Sequence, residues 1–149
     1  MSVPAARLTF GAVALLATMF AVACGSDSSP AAPSSTTTPG PTFSVQVQQQ
    51  IFNPACVVCH TDDGRTPSGG LNLKNASTSY AALVNVGSTG KSGAVRVIPG
   101  NPSGSYLIQK LEGAADIVGL RMPRNGPPYL TDAQTQLIRQ WIQNGAPNN

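Results

Sequence analysis

Apolar residues recur every four positions where the chain first becomes periodic: Phe43, Val47 and Ile51, with Gln46, Gln48, Gln49 and Gln50 between them. That spacing predicts a helix with one narrow apolar face. Asn53-Pro54 interrupts it, because the residue before a proline avoids the helical region. Pro54 suits the first position of a new helical turn, which carries Ala55-Cys56-Val57-Val58-Cys59-His60. Residues 61–75, TDDGRTPSGGLNLKN, read as a loop with two apolar landmarks, Leu71 and Leu73. A short helix is predicted over 77–84, with Tyr80, Leu83 and Val84 on one side. A Gly/Ser loop follows at 87–94. Val95-Arg96-Val97-Ile98 is then a short extended run stopped by Pro99-Gly100.

Asn101-Pro102 predicts a helix start, an N-cap residue followed by proline at the first position. The helix should run to Glu112, turn Leu107, Ile108 and Leu111 inward, and end at Gly113. Residues 114–129 are irregular and include Arg121-Met122-Pro123. The final helix has the strongest pattern. Thr131 and Gln134 form a capping box, Leu130, Leu137, Ile138, Trp141 and Ile142 form a helical stripe, and Gly145 ends it. The sum is an all-α domain over 43–149, about four helices joined by long loops, with no internal repeat. Helical bundles usually connect their helices with about 2–8 residues. Loops longer than that need something to pack on, and a large flat cofactor would serve.

Composition points the same way. Glycine (15) and proline (13) are abundant, aromatics make up 5 % and charged residues 10 %. So small a domain, short of bulky core formers, commonly draws stability from a metal, a cofactor or disulfides. The formal net charge is +3. It is scattered, without a Lys/Arg cluster or a basic-aromatic stripe, which excludes nucleic-acid binding.

Ahead of the domain, residues 1–23 read as a secretory signal peptide: Arg7 is a short positive region and Leu8 to Ala23 is apolar apart from Thr9 and Thr18. The run is slightly short of the about 20 apolar residues of a transmembrane helix and no basic stop signal follows it. AVAC at 21–24 resembles a bacterial lipobox, with alanine where leucine is commoner at position 21. The resemblance implies lipidation of Cys24 and a lipid anchor in the cell envelope, with simple cleavage to a soluble exported protein as the rival. Gly25 after the cysteine favours the outer membrane by the same resemblance. Residues 24–42, continuing GSDSSPAAPSSTTTPGP, have the composition of a disordered tether. At roughly 3.1 Å per residue it would reach on the order of 55 Å.

The chemistry concentrates in CVVCH, residues 56–60, which holds two of the three cysteines and the only histidine. C-x-x-C-H is the attachment sequence of c-type haem. On a helical turn Cys56 and Cys59, three residues apart, project to the same side, each available for a thioether to one haem vinyl group, and His60 is carried next to them as the iron ligand. Structural zinc wants four ligands, and the chain has no second C-x-x-C or paired histidine. A thioredoxin-like pair expects a βαβ setting that is missing here. A plain Cys56–Cys59 disulfide suits an exported protein but leaves His60 unexplained. Export itself supports haem c, which is attached outside the bacterial cytoplasm.

With one histidine, bis-histidine ligation within the chain is excluded. Met1 and Met19 fall in the expected signal peptide, so Met122 is the methionine of the mature protein and the favoured second axial ligand. Its alternatives are a gap-filling role, a five-coordinate iron, or a lysine ligand such as Lys74, Lys91 or Lys110. His/Met ligation raises the reduction potential and fills both axial sites.

The domain from about 43 to 146 resembles the class I c-type cytochromes, on the segments FNPACVVCH, GGLNL, YAALV, IPGNPSGSYLIQKL, MPRNGPPYL and TDAQTQLIRQWIQNGA. The resemblance implies a cytochrome c-like fold with one covalent haem c between the first and last helices. It also implies electron transfer between exported redox partners, and no catalysis of its own. Pro67 or the Gly69-Gly70 loop is then the expected source of a carbonyl for His60 Nδ1–H. Arg96, Arg124 and Trp141 are candidate donors to the haem propionates. A haem-based sensor or peroxidase-like module with an open axial site, and a non-haem lipoprotein with a Cys56–Cys59 disulfide, are the other functional classes.

Overall fold

The computed structural model describes residues 39–64 and 66–149. The signal peptide, Cys24 and nearly all of the expected tether lie outside the described residues. Among these residues there are four helices of seven or more residues, two three-residue helical turns and no strand, an all-α arrangement.

The first helix, Phe43–Phe52, is wound as a π-helix. Its i→i+5 bonds include Val47 N–H to Thr42 O at 3.3 Å and, beyond its end, Val57 N–H to Phe52 O at 3.0 Å. Such winding is rare and mostly confined to single turns. Its consequence is visible in the burial pattern. Phe43, Val47 and Ile51 are buried as the periodicity predicts, and the wider turn buries Gln48 and Phe52 with them. Gln48, expected on the polar face, donates from Nε2 to Leu73 O and Asn53 Oδ1, both at 2.8 Å. Thr42, the last residue of the expected tether, is the N-cap; its N–H donates to Gln46 Oε1 at 2.8 Å.

Asn53-Pro54 does not break the chain's helical course. The turn α1 (Asn53–Ala55) continues the π-helix directly, with Pro54 at its start, where a missing N–H costs nothing. Helical turns then run through the CVVCH segment. Cys56 N–H donates to Phe52 O at 2.8 Å, and Cys56 O accepts from both Cys59 and His60.

Helix α2 (Ala76–Leu83) is capped by the Asn75 side chain, which accepts from Thr78 N–H at 3.0 Å. The 95–98 run pairs with the segment after α2 only through isolated bridges, Val84 with Val97 and Gly87 with Val95. Helix α3 (Tyr106–Glu112) begins later than Asn101-Pro102 suggests. Asn101 Oδ1 accepts from Gly104 N–H, and the Ser105 hydroxyl donates to Asn101 O at 2.8 Å, so residues 101–105 close a turn of their own. The first amide groups of α3 are then taken by the extended run: Tyr106 N–H donates to Val95 O and Leu107 N–H to Arg96 O, each at 2.9 Å. Gly113 ends α3 in the left-handed conformation (φ 73°), as expected.

Helix α4 (Asp132–Gln143) has the full Thr131/Gln134 capping box. Its Ile138, Trp141 and Ile142 are fully buried. The core forms where α4 and α2 pack on the π-helix and α3 packs on α4. At its centre Phe43 stacks on Trp141 with ring centroids 4.8 Å apart, and meets Phe52 and Tyr80 edge-on. None of the helices among the described residues is long and apolar enough to cross a membrane.

Candidate functional site

On one side of this core lies a cavity of about 590 Å³. Cys56, Cys59, His60 and Met122 all line it, contributed by two distant parts of the sequence. The first three arrive on the helical turns that extend the π-helix. Met122 arrives on the long connection between α3 and α4, where its N–H donates to Lys110 O at 2.9 Å.

The CVVCH turn is held by the loop that follows it. Ser68 N–H donates to Cys59 O at 3.1 Å, and Leu73 N–H donates to His60 O at 2.7 Å. Between these, His60 Nδ1 lies 3.2 Å from Leu71 O. The carbonyl beside His60 is therefore that of Leu71, one residue beyond the Gly69-Gly70 pair expected to supply it, and Pro67 is not the partner. Gly69 (φ 62°) and Gly70 (φ 59°) both take left-handed backbone, which swings the chain so that Leu71 O reaches the imidazole. With Nδ1 as donor to this carbonyl, the Nε2 lone pair of the neutral ring is left free to act as a ligand. Burial lowers the His60 pKa from its ordinary value, partly offset by backbone hydrogen bonding to Leu71 and Ser68, and so favours the ligating form.

The thiols differ. Cys56 is half-buried and Cys59 is exposed, and no disulfide joins them. Burial, and secondarily Cys59, pushes the Cys56 thiol up from 9.0 to about 12. Among the described residues no three His, Cys, Asp or Glu side chains converge on a point that would hold a metal ion. Cys56, Cys59 and His60 are thus not arranged as a zinc site.

The cavity wall is largely apolar, with Phe52, Leu71, Leu83, Leu107 and Leu111 among its residues. Among the described residues its charged members are Arg96, Lys110 and Arg124, and no carboxylate lines it. Arg96 is buried (7 % exposed) and donates to Ala82 O at 2.8 Å and to Gly69 O and Gly70 O at 3.2 Å each. Desolvation lowers its pKa, yet a guanidinium stays charged at neutral pH. Trp141 is elsewhere: it sits in the core and spends its N–H on Pro147 O at 2.9 Å, so it offers nothing to the cavity. Of the three lysines considered as ligands, Lys110 reaches the cavity. Lys74 pairs with Asp62 and Asp63 on the surface, and Lys91 pairs with Asp116 at 2.6 Å.

The sequence does not announce the Leu71 carbonyl beside His60 or the bond from Met122 N–H to Lys110 O. The first depends on two successive left-handed glycines, for which the GG dipeptide was the available signal. The second depends on loop geometry that carries no periodicity. No protein-family model, curated protein or solved structure matches the chain.

Proposed function

We propose that this chain is an exported monohaem c-type cytochrome, an electron carrier rather than an enzyme, tethered to the cell envelope by a lipid at Cys24. One observation carries the reading: the only C-x-x-C-H of the chain and its only methionine outside the expected signal peptide line one apolar cavity. The cavity volume falls within the range of about 300–1,000 Å³ typical of cofactor sites. Its apolar walls suit a flat hydrophobic ring. Its three cations among the described residues, with no described carboxylate beside them, suit the anionic edge that haem propionates provide.

In this reading Cys56 and Cys59 would hold the ring by thioethers, and His60 and Met122 would ligate its iron. The group when bound would supply a reversible one-electron change, at a potential raised by thioether ligation. The chain's own residues do the rest. Leu71 O orients the imidazole and raises its basicity. Phe52, Leu83, Leu107 and Leu111 exclude water from the pocket. Arg96 keeps a positive charge at the cavity wall without moving, because three carbonyls fix it. The fold is then of the cytochrome c type, and the tether lets the carrier reach exported donors and acceptors.

The test is a visible spectrum of the protein produced with haem-attachment machinery, together with its intact mass after denaturation. The expected result is one covalently held haem, sharp low-spin bands on reduction, and the weak methionine–iron charge-transfer band on oxidation. Absence of haem would end the reading. High-spin bands that shift with carbon monoxide would transfer it to a haem sensor or peroxidase-like module.

A further inference from the structure

We infer that Lys110 is a positioning residue that holds the Met122 segment against α3 and over the cavity, an inference that rests on the haem reading above. Lys110 grips the segment with both its side chain and its backbone. Its ammonium donates to Val118 O at 2.9 Å and to Leu120 O. Its own carbonyl accepts from Met122 N–H at 2.9 Å. One residue thus engages positions 118, 120 and 122 in succession.

Apolar burial does little to hold this stretch. Val118 is 55 % exposed and Leu120 60 % exposed, so neither gains much from removal of surface from water. Beyond the packing of Met122 against the core and the stacking of Arg121 over the Tyr129 ring, the remaining ties are polar. Val118 N–H donates to the Tyr106 hydroxyl at 2.9 Å, and Arg121 Nε donates to Leu111 O at 2.7 Å. Lys91 Nζ donates to Asp116 O at 3.0 Å further back. Among these ties, those of Lys110 are the only ones that reach both Met122 and the residue two before it. Lys110 also lines the cavity that Met122 lines. A segment with few apolar contacts is drawn from the low-stability end of a fold and opens locally. Hydrogen bonds to a charged donor are the stronger kind, and here they decide how often the thioether of Met122 is presented.

The test compares wild type with Lys110→Met, which keeps the apolar stem and removes the donors, and Lys110→Arg, which restores donors. Hydrogen exchange reports on the segment whether or not haem is present. In wild type the amides of Val118 and Met122 are expected to be protected. In Lys110→Met, residues 114–122 should exchange on the order of tenfold faster, with α4 unchanged. The haem-loaded variant should lose part of the methionine–iron band and bind carbon monoxide, and Lys110→Arg should recover the band. Unchanged exchange and an unchanged band in Lys110→Met would overturn the inference. So would Val118 and Met122 amides that exchange at unprotected rates in wild type, a result that also decides the matter if Lys110→Met does not fold. A wild-type protein without haem would instead defeat the haem reading, and one with haem but without the methionine band would remove Met122 as its ligand, while the exchange data still report on the clamp.

Discussion

His60 Nδ1 sits 3.2 Å from the carbonyl oxygen of Leu71, and that carbonyl is placed by a loop which Arg96 holds from behind. The guanidinium bonds the two carbonyls just before Leu71, those of Gly69 and Gly70, and fastens them to Ala82 O at the end of α2. Arg96→Met would keep most of the buried stem and strip three carbonyls of a charged donor. Hydrogen bonds to a charged group contribute about 1.5–3 kcal/mol, and Gly69 and Gly70 are exposed, so water can replace part of what is lost. The variant should lose on the order of 1 kcal/mol in chemical denaturation. A change below about 0.5 kcal/mol would show that the loop is held by other contacts.

If the haem reading holds, replacing Met122 by alanine should remove one of the two ligands of the iron. The methionine–iron band should vanish, the reduction potential should fall because the thioether no longer favours the reduced state, and the reduced protein should bind carbon monoxide. The N–H bond from residue 122 to Lys110 O is backbone and survives the change, so the loop itself should keep its place. Optical titration checks the point, and spectra identical to wild type would remove Met122 from the site.

The two thiols should react unequally before any thioether forms. Alkylation requires the thiolate, and burial holds the Cys56 thiol in its protonated form up to about 12. At mildly alkaline pH an alkylating reagent should therefore modify Cys59 first, as peptide mapping by mass would show. The sign for stability follows from the same shift. The folded chain keeps a proton on Cys56 that the unfolded chain releases above 9.0, so this contribution is full below that pH and is lost as pH rises toward about 12. Equal labelling of both cysteines would contradict the burial of Cys56.

Local chemistry was readable from the sequence where neighbouring residues decide it. The Thr131/Gln134 box, the stripe of α4, the left-handed Gly113 and the apolar face of the first helix all appear where the pattern puts them. What escaped depends on contacts between distant segments. The first helix is π-wound, so Gln48 turns inward to Leu73 O. The run at 95–96 captures the first amides of α3, which delays its start to Tyr106. Trp141 looked available for ligand binding from its type alone, but its position on α4 commits it to Phe43 and Pro147. At the site, the residues singled out in CVVCH and Met122 come to line one cavity. That Leu71 supplies the carbonyl beside His60 was not legible, because backbone acceptors have no residue type.

Arg139 on α4 makes a two-pronged contact with Glu112 at the end of α3, Nε to Oε1 and Nη2 to Oε2, both at 2.7 Å. The hydrogen bonds to Glu112 raise the Arg139 pKa. The geometry is favourable, but the pair faces solvent, where ion pairs contribute roughly 0.2–1 kcal/mol. Arg139→Ala should cost about 0.5 kcal/mol, and the difference from wild type should shrink in high salt. A salt-independent loss would mean that packing of the arginine stem, rather than charge, joins the two helices.

Trp141 tests whether the core, rather than the proposed covalent cofactor, holds the domain together. Its ring is fully buried against Phe43, and its N–H bond to Pro147 O anchors the chain after α4. Trp141→Ala removes both the ring and that anchor, a change expected to cost about 3–5 kcal/mol. Domains of this size commonly have only about 5–15 kcal/mol in total, so the loss is a large share of the whole. Trp141→Phe keeps a ring against Phe43 and should lose much less. If Cys56 and Cys59 hold haem by thioethers, the alanine variant should still carry the haem mass after denaturation while its helical circular-dichroism transition moves to markedly lower temperature. Attachment and fold stability would then be separable, as expected for links made on the CVVCH turn rather than through the aromatic core. An alanine variant that melts like wild type would show that the ring at 141 is not the centre of the core.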